Sequence, residues 1–441
     1  MKALPLLLLL FLFTCRAFAQ DTSAQGVYYL SLPAAIKMAQ QQNKLVQALK
    51  QDEKASTYDL QDARNAVLPQ AGVEVNYQRF TELTLFDNGW SKSESFRRRP
   101  DPNTVNLGAN AAFTLFAGGR LRHAVTEESI RRELATLGVT DQAGQSAQLA
   151  ALLYLDIVRL YKLDSLIVEQ VKRAELRLKN ITSLYNNQRV TRSDLLRAEL
   201  NLSSIQLNKE TTDNDIVIAK QKLAVQLNIP DTAQLVITDT AMAQPLSLSG
   251  LQASMSDASA TPYILQRTAK AIRLQESRIR SIRSAYYPMI QLYSAYGLNY
   301  PNFFFFPPVA QWYSVGFIGI RAQYAISSLY HNKNKVAAAR ERLNSLQLQR
   351  AYISDNVNEN IRSLYIKYSE SLTRIRVAEK SIEQAAANLK IVSTKYYNQL
   401  ALLTDLLDAD NLYLESNFNL VKAQTDATGY YYRLLYVTGK L

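Results

Sequence analysis

Cysteine is almost absent: Cys15 is the single one in 441 residues. Beyond it there is no thiol, which excludes a disulfide framework and a cysteine metal site. Histidine is nearly as rare, and neither His123 nor His331 has a second histidine at ligand spacing, so a metal centre is not expected. No nucleophile pairs with a base and no glycine loop is built to cradle phosphate. No enzyme class and no cofactor are therefore indicated. Long apolar runs are missing too, with one exception near the start. Leu4 to Phe13 form a run of about ten residues, half of the roughly twenty that a membrane-spanning helix needs. Lys2 before it and Ala17-Phe18-Ala19 after it give it the form of an export signal. Residues 1–19 are expected to be removed, and the mature chain to begin at Gln20. Cys15 goes with the signal, and Phe13-Thr14 before it lacks the small residue of a lipidation site.

Glycine and proline are scarce, 14 and 12 residues, which implies long uninterrupted elements. Tyrosine is abundant, 26 residues, and its ring favours the boundary between apolar and aqueous surroundings. The formal charge is +12, of which Lys2 and Arg16 contribute two, leaving +10 on the mature part. Acids and bases are mixed along it, the pattern of a solvated surface and not of a nucleic-acid stripe.

The chain contains an internal duplication. Arg64-Asn65-Ala66-Val67-Leu68-Pro69 is answered by Arg283-Ser284-Ala285-Tyr286-Tyr287-Pro288, an offset of 219. Tyr185-Asn186-Asn187-Gln188, with Ser193-Asp194-Leu195-Leu196 and Ala198, is answered by Tyr396-Tyr397-Asn398-Gln399, with Thr404-Asp405-Leu406-Leu407 and Ala409, an offset of 211. The difference between the offsets is expected to lie in a shorter loop of the second hairpin. A first repeat at 20–229, a linker at 230–261 and a second repeat at 262–441 follow.

Each repeat predicts a helix, a strand, a loop, a strand, a very long helix, a tight turn and a last helix. The first helix spans 32–66 and is stopped by Pro69. Hairpins follow at about 70–116 and 289–325. In the first, Val73, Val75 and Tyr77 alternate with Glu74, Asn76 and Gln78, and Val105, Leu107, Ala109, Ala111, Phe113 and Leu115 alternate with smaller or polar neighbours. Period two with one apolar face is a strand signal, and about eleven residues is the length of a tilted membrane strand. In the second hairpin the apolar content comes from Ile290, Leu292, Tyr296 and Leu298, then Tyr313, Val315 and Phe317.

From Gly119 to Tyr185, and from Lys333 to Tyr396, there is no proline. At about 1.5 Å per residue each segment makes a helix of roughly 100 Å. Ile353, Val357, Ile361, Leu364, Tyr368, Leu372, Ile375, Ala378, Ile382, Ala386 and Leu389 step by four and three, which is coiled-coil spacing. Tight turns are expected at about 186–192 and 397–403. Within the linker, Leu235, Val236 and Ile237 suggest one short strand, and Thr261-Pro262 a cap and first turn for the next helix.

Four antiparallel strands with a lipid-compatible face leave two unpaired edges, which a hydrocarbon layer does not tolerate. Closure then needs further copies: two give about eight strands and three give about twelve, and the larger barrel leaves a lumen.

The proline-stopped helices, the paired hairpins, the long helices and the Tyr-x8-Asp spacing of Tyr185 to Asp194 and Tyr396 to Asp405 resemble the outer membrane efflux protein family, TolC-like. So does the opening Leu32-x2-Ala35-Ile36-x2-Ala39-x3-Asn43-x-Leu45. The resemblance covers essentially the whole mature chain. It implies an α+β membrane protein: a homotrimer in which four strands per protomer build a twelve-stranded outer-membrane barrel in contact with lipid. That barrel continues into a periplasmic helical barrel, with the linker as an equatorial belt. It further implies a passive exit duct that works with a periplasmic adaptor and an inner-membrane transporter, in efflux or type I secretion. A soluble periplasmic coiled-coil adaptor is the competing class; it shares the signal and the long helices and has no need of two bilayer-length hairpins.

The resemblance also carries site residues. Asp405 and Asp408 map onto aspartate rings that narrow the periplasmic end. Residues three apart share a helix face, and rings of carboxylates favour cations. An equally weighted reading of the residues alone has both aspartates complementing the positive end of a helix, with Thr404 as its cap. Tyr396 and Asp194 match positions of tip-closing links whose arginine partner falls here at Ala401, leaving Arg189 and Arg192 to substitute. The family's tip glycines are replaced by Gln188 and Gln399. In the loops, Arg97-Arg98-Arg99 is either solvated or faces lipopolysaccharide phosphates. Phe303, Phe304, Phe305 and Phe306 are expected to plug the barrel mouth or pack on a neighbour, since exposed they would be a liability. Trp312, Tyr296, Tyr300 and Tyr313 suit an interfacial belt.

Overall fold

The structure is a computed structural model that describes residues 26–81, 84–85, 94–95, 101–231, 233–239, 261–305 and 309–441. The export signal with Cys15, Arg97 to Arg99, Phe306 and residues 240–260 of the linker lie outside the described residues. The chain divides into two compact units.

One unit combines residues up to Ala39 with 149–245 and 371–429. It opens on β1 (Val27–Leu30), which pairs in parallel with β6 (Gln234–Ile237), Leu30 lying opposite Ile237. β6 is the short strand expected in the linker; β1, Val-Tyr-Tyr-Leu, is a further strand beyond the expected elements, built from strand-favouring residues. α1 (Leu32–Gln42) begins in this unit. α3 (Arg120–Asn186) and α6 (Ser328–Tyr397) end in it, and α4 (Arg192–Leu227) and α7 (Leu403–Val437) start in it. Its main core joins Leu30, Ala35, Ala39, Tyr154, Ile157, Leu223, Leu227 and Leu235. Leu223 and Leu227 are fully buried, each worth about 1.5–3 kcal/mol. The Tyr154 hydroxyl ties this core to the strand pair, donating to the Leu30 carbonyl at 3.2 Å.

The other unit combines residues 40–148, 246–370 and 430–441. The expected helix over 32–66 is two helices, because Asn43 starts a new one: its side chain accepts from the Leu45 and Val46 amides and caps α2 (Lys44–Asn65). Pro69 then ends the helical segment as expected. β2 (Gln70–Arg79) and β5 (Asn103–Phe116) form the first hairpin, with β3 (Thr84–Leu85) and β4 (Glu94–Ser95) paired in its loop. α5 (Tyr263–Arg283) leads into the second hairpin of β7 (Met289–Tyr300) and β8 (Tyr313–Gln323). Pro262 occupies the N-cap of α5 without a side-chain bond, so the Thr261-Pro262 start is displaced by one residue. The loop at 301–312 is shorter than that at 80–102, the largest contribution to the drop in repeat offset.

The four long strands form one antiparallel sheet, ordered β2-β5-β7-β8. Register builds its two faces. Val73, Val75 and Tyr77 lie opposite Ala109, Leu107 and Val105, and these continue to Tyr296, Leu298 and Tyr300. On β8 this face carries Ile318 and Ile320, opposite Ser294 and Leu292. Tyr313, Val315 and Phe317 point to the other face, with Glu74, Asn76 and Asn106, so the apolar content expected of the second hairpin is divided between the two faces. There Phe317 packs edge-on to Tyr293 at 5.8 Å, and Arg321 sits 4.7 Å above the Tyr293 ring. Gly319 makes room for that ring, since a Cβ would meet it at 3.1 Å. Among the described residues no helix is long and apolar enough to cross a membrane.

Candidate functional site

The candidate site is where α3 turns into α4 and α6 into α7, all within the first unit. Both turns are built alike. Gln188 and Gln399 adopt left-handed conformations, φ 59° and 62°. The Gln188 amide donates to the Tyr185 carbonyl and the Arg189 amide to Leu184; Gln399 donates to Tyr396 and Leu400 to Lys395. This is the Schellman closure that glycine usually supplies. The glutamines therefore keep the glycine geometry without the glycine.

The helices that follow start on aspartate. Thr191 caps α4: its hydroxyl accepts from the Asp194 amide at 3.2 Å, and the Thr191 amide donates back to Asp194 Oδ2 at 3.1 Å, a reciprocal capping box. In the second repeat the Leu402 amide donates to Asp405 Oδ2 at 3.0 Å, half of the same box, because leucine has no acceptor to return. Thr404 is thus inside α7 and does not cap it, a correction to the sequence expectation. Capping accounts for Asp405. It does not account for Asp408, which is exposed one turn further along the same face.

The tip core holds Ile181, Ala198, Tyr396, Leu403 and Leu406, with Ala401 and Val190 packed against it. Ala401, where the family resemblance places an arginine, is an apolar filler here. Tyr396 is buried with its hydroxyl unpaired among the described residues. Burial first, then the nearby Asp194 carboxylate, raises its pKa above the usual phenol value. The two do not form a hydrogen bond; Thr191 holds Asp194 through Oδ2. Arg189 and Arg192 are exposed, and among the described residues neither forms an ion pair. Within one chain, then, they do not substitute for the missing link.

Sequence reasoning missed the most buried charge of the tip. Asp410 on α7 accepts from Arg177 Nη2 at 2.8 Å and from Arg173 Nε at 3.1 Å, both on α3. Arg177 also reaches Asn201 of α4, and Arg173 lies 5.8 Å over the Tyr413 ring. A groove of about 550 Å³ lies over this cluster, lined by Arg173, Lys390, Ser393, Tyr397, Asp410 and Tyr413 among others. The available signal was positional: Arg177 follows Ile167, Gln170 and Ala174 and precedes Ile181, all buried at steps of three and four. A charge in such a seam requires a buried partner.

At the far end of the sheet from its helices, Phe303, Phe304 and Phe305 are exposed. Phe304 packs edge-on to Tyr313 at 5.4 Å, and the Tyr300 and Trp312 rings meet at a tilt, 5.2 Å apart.

A four-stranded antiparallel sheet interleaved twice with a helix of about seventy residues that turns sharply into a second helix is the TolC-like fold. The outer membrane protein VceC from Vibrio cholerae shares it, at 16% identity and a TM-score of 0.74 over 92% of this chain and 96% of that one. The CmeC outer membrane channel of Campylobacter jejuni is 14% identical, with a TM-score of 0.75 over 93% and 85%. The MtrE outer membrane channel of Neisseria gonorrhoeae, in an open state, is 16% identical, with a TM-score of 0.72 over 92% and 88%. No family sequence profile and no curated protein matches the chain, so the likeness is one of fold.

Proposed function

We propose that the chain is one protomer of a trimeric outer-membrane duct that passively conducts small molecules or peptides to the exterior. In this reading a periplasmic adaptor and an inner-membrane transporter supply cargo and energy, in efflux or type I secretion. One observation carries it. The sheet has a continuous apolar face, with Val73, Val75, Ile318 and Ile320 each more than half exposed, and the outer edges of β2 and β8 are unpaired among the described residues. In water such a face is a liability. In lipid it is required, and the edges close only against further copies. The outer membrane channels that share the fold support the same reading.

Asp408 is the proposed gate residue, with Asp405 sharing its face while serving the helix start. Three copies would place both carboxylates around one opening and favour cations. The tip-closing role of Arg189 and Arg192 then falls between protomers, where each is available to a neighbour.

The test is reconstitution of the mature chain into planar bilayers, with its mass measured in detergent. A mass of three chains and stepwise conductance are expected; a monomer soluble without detergent overturns the reading in favour of a periplasmic adaptor. Asp408→Asn should lower the preference for cations and leave stability unchanged. Asp405→Asn should cost about 1 kcal/mol through the weakened helix start. Unchanged ion preference in both removes the gate.

A further inference from the structure

The sheet meets all its helices at one end. Register sets Gln70 opposite Ala112, Phe116 opposite Ile290 and Met289 opposite Gln323. The C-termini of α2 and α5 and the N-termini of α3 and α6 therefore gather there. Aromatic rings mark this end: Phe116, Tyr287, Tyr324 and Tyr330 are exposed, with Phe116 edge-on to Tyr287 at 6.3 Å. Exposed rings in a band around one end of an apolar sheet have the disposition of an interfacial belt.

Charge in the adjoining helical turns is mostly basic, with Asp62 in the last turn of α2 the one acid. α2 ends on Arg64, and α5 on Arg280 and Arg283. α3 opens with Arg120 and Arg122, and α6 carries Lys333 and Lys335 in its second turn. All are exposed, and among the described residues none of them forms an ion pair. Residues 63–73, 116–126 and 277–340 contain no aspartate or glutamate.

Helix electrostatics explains half of this. Cations complement the C-terminal ends of α2 and α5. At the start of α3 the same dipole opposes Arg120 and Arg122, and neither α3 nor α6 has an acid in its first turn. By contrast, α4 and α7 each carry an acid in the first turn, Asp194 and Asp405, as the dipole favours. Among the described residues no acid partners these basic turns, which leaves them available to an anion from outside the chain.

We propose that this junction is a binding collar for anionic phospholipid of the periplasmic-facing leaflet. The arginine and lysine heads donate to phosphodiester oxygens while their stems lie along the apolar boundary that the rings mark. The proposal rests on the membrane reading of the sheet given above.

The experiment uses the full mature chain in detergent, titrated with phosphatidylglycerol, phosphatidylcholine or inorganic phosphate, with bound lipid counted by native mass spectrometry. Phosphatidylglycerol should bind about tenfold more tightly than phosphatidylcholine, and rising salt should erode the difference. Arg280→Gln, Arg283→Gln, Lys333→Gln and Lys335→Gln combined should bring the two lipids towards parity; exchanging arginine and lysine at the same positions should preserve the preference. Equal binding by the unmodified protein, or a salt-insensitive preference, overturns the collar. Displacement of the lipid by inorganic phosphate at equal concentration overturns it in favour of a small-anion site. Failure of the membrane reading is distinguishable, because the chain would then not enter vesicles of either lipid.

Discussion

Arg177 donates a 2.8 Å hydrogen bond to Asp410, and both side chains are sealed from solvent, 7% and 2% exposed. The pair fastens α7 to α3 in the part of the tip where the sequence supplies no arginine at position 401. Asp410→Ala would leave Arg177 buried without its carboxylate, and the expected loss is about 3–5 kcal/mol. Replacing both partners by apolar residues of similar size, Arg177→Met with Asp410→Leu, should recover most of it. Chemical denaturation in detergent measures both. A small loss in the single variant would mean that Arg173 and Asn201 suffice to hold the cluster.

The left-handed glutamines give a second expectation. A side chain at positive φ costs about 1–2 kcal/mol relative to the right-handed region, and glycine avoids most of that. Gln188→Gly and Gln399→Gly should each stabilise by about 1 kcal/mol, after allowance for the greater freedom of glycine in the unfolded chain. The same denaturation curves test it. If either variant is less stable, the glutamine side chain has a partner in the assembled tip.

What the sequence made legible was what depends on local pattern. Val73, Val75 and Tyr77 announced a strand because alternation is written into neighbours, and the proline-free stretches announced α3 and α6 because nothing interrupts them. The repeat placed Asp194 and Asp405 at equivalent helix starts before either cap was visible. The hidden part depends on partners distant in the chain. Asn43 breaks a helix whose apolar spacing runs straight through it, since an Asx side chain competes with the backbone for the same amides. Phe317 and Val315 are apolar enough for either face, and only the pairing of Ala295 with Phe317 turns them to the polar one, a one-residue matter of register. Asp410 and Arg177 lie 233 residues apart, and no local rule links them.

The mouth residues give a third expectation, conditional on the duct. Phe304 is three-quarters exposed, 74%, and touches Tyr313 only edge-on. If this loop plugs the opening, Phe303→Ser, Phe304→Ser and Phe305→Ser combined should raise single-channel conductance without lowering the amount of trimer. If instead the rings pack on a neighbouring protomer, the trimer should weaken and conductance per channel should stay the same. Size-exclusion chromatography alongside bilayer recording separates the two.

The last expectation concerns pH. Tyr436 donates to Asp141 Oδ1 at 2.9 Å, while Arg267 holds the other oxygen of that carboxylate at 2.9 Å. Burial, with the Asp141 charge adding to it, pushes the Tyr436 phenol from 10.0 up to about 12. Because the folded value lies above the unfolded one, the contribution to stability is complete below about pH 10. It is lost as pH rises from there through about 12, since the unfolded chain releases its proton first. Tyr263, whose phenol is also raised by burial, acts in the same direction. Stability should therefore be flat from neutral pH to about 9 and then fall. Tyr436→Phe should cost about 2 kcal/mol at neutral pH through the lost bond to a charged group, and should flatten the alkaline fall. A variant that melts with the same alkaline slope as the unmodified protein would assign that slope to other groups.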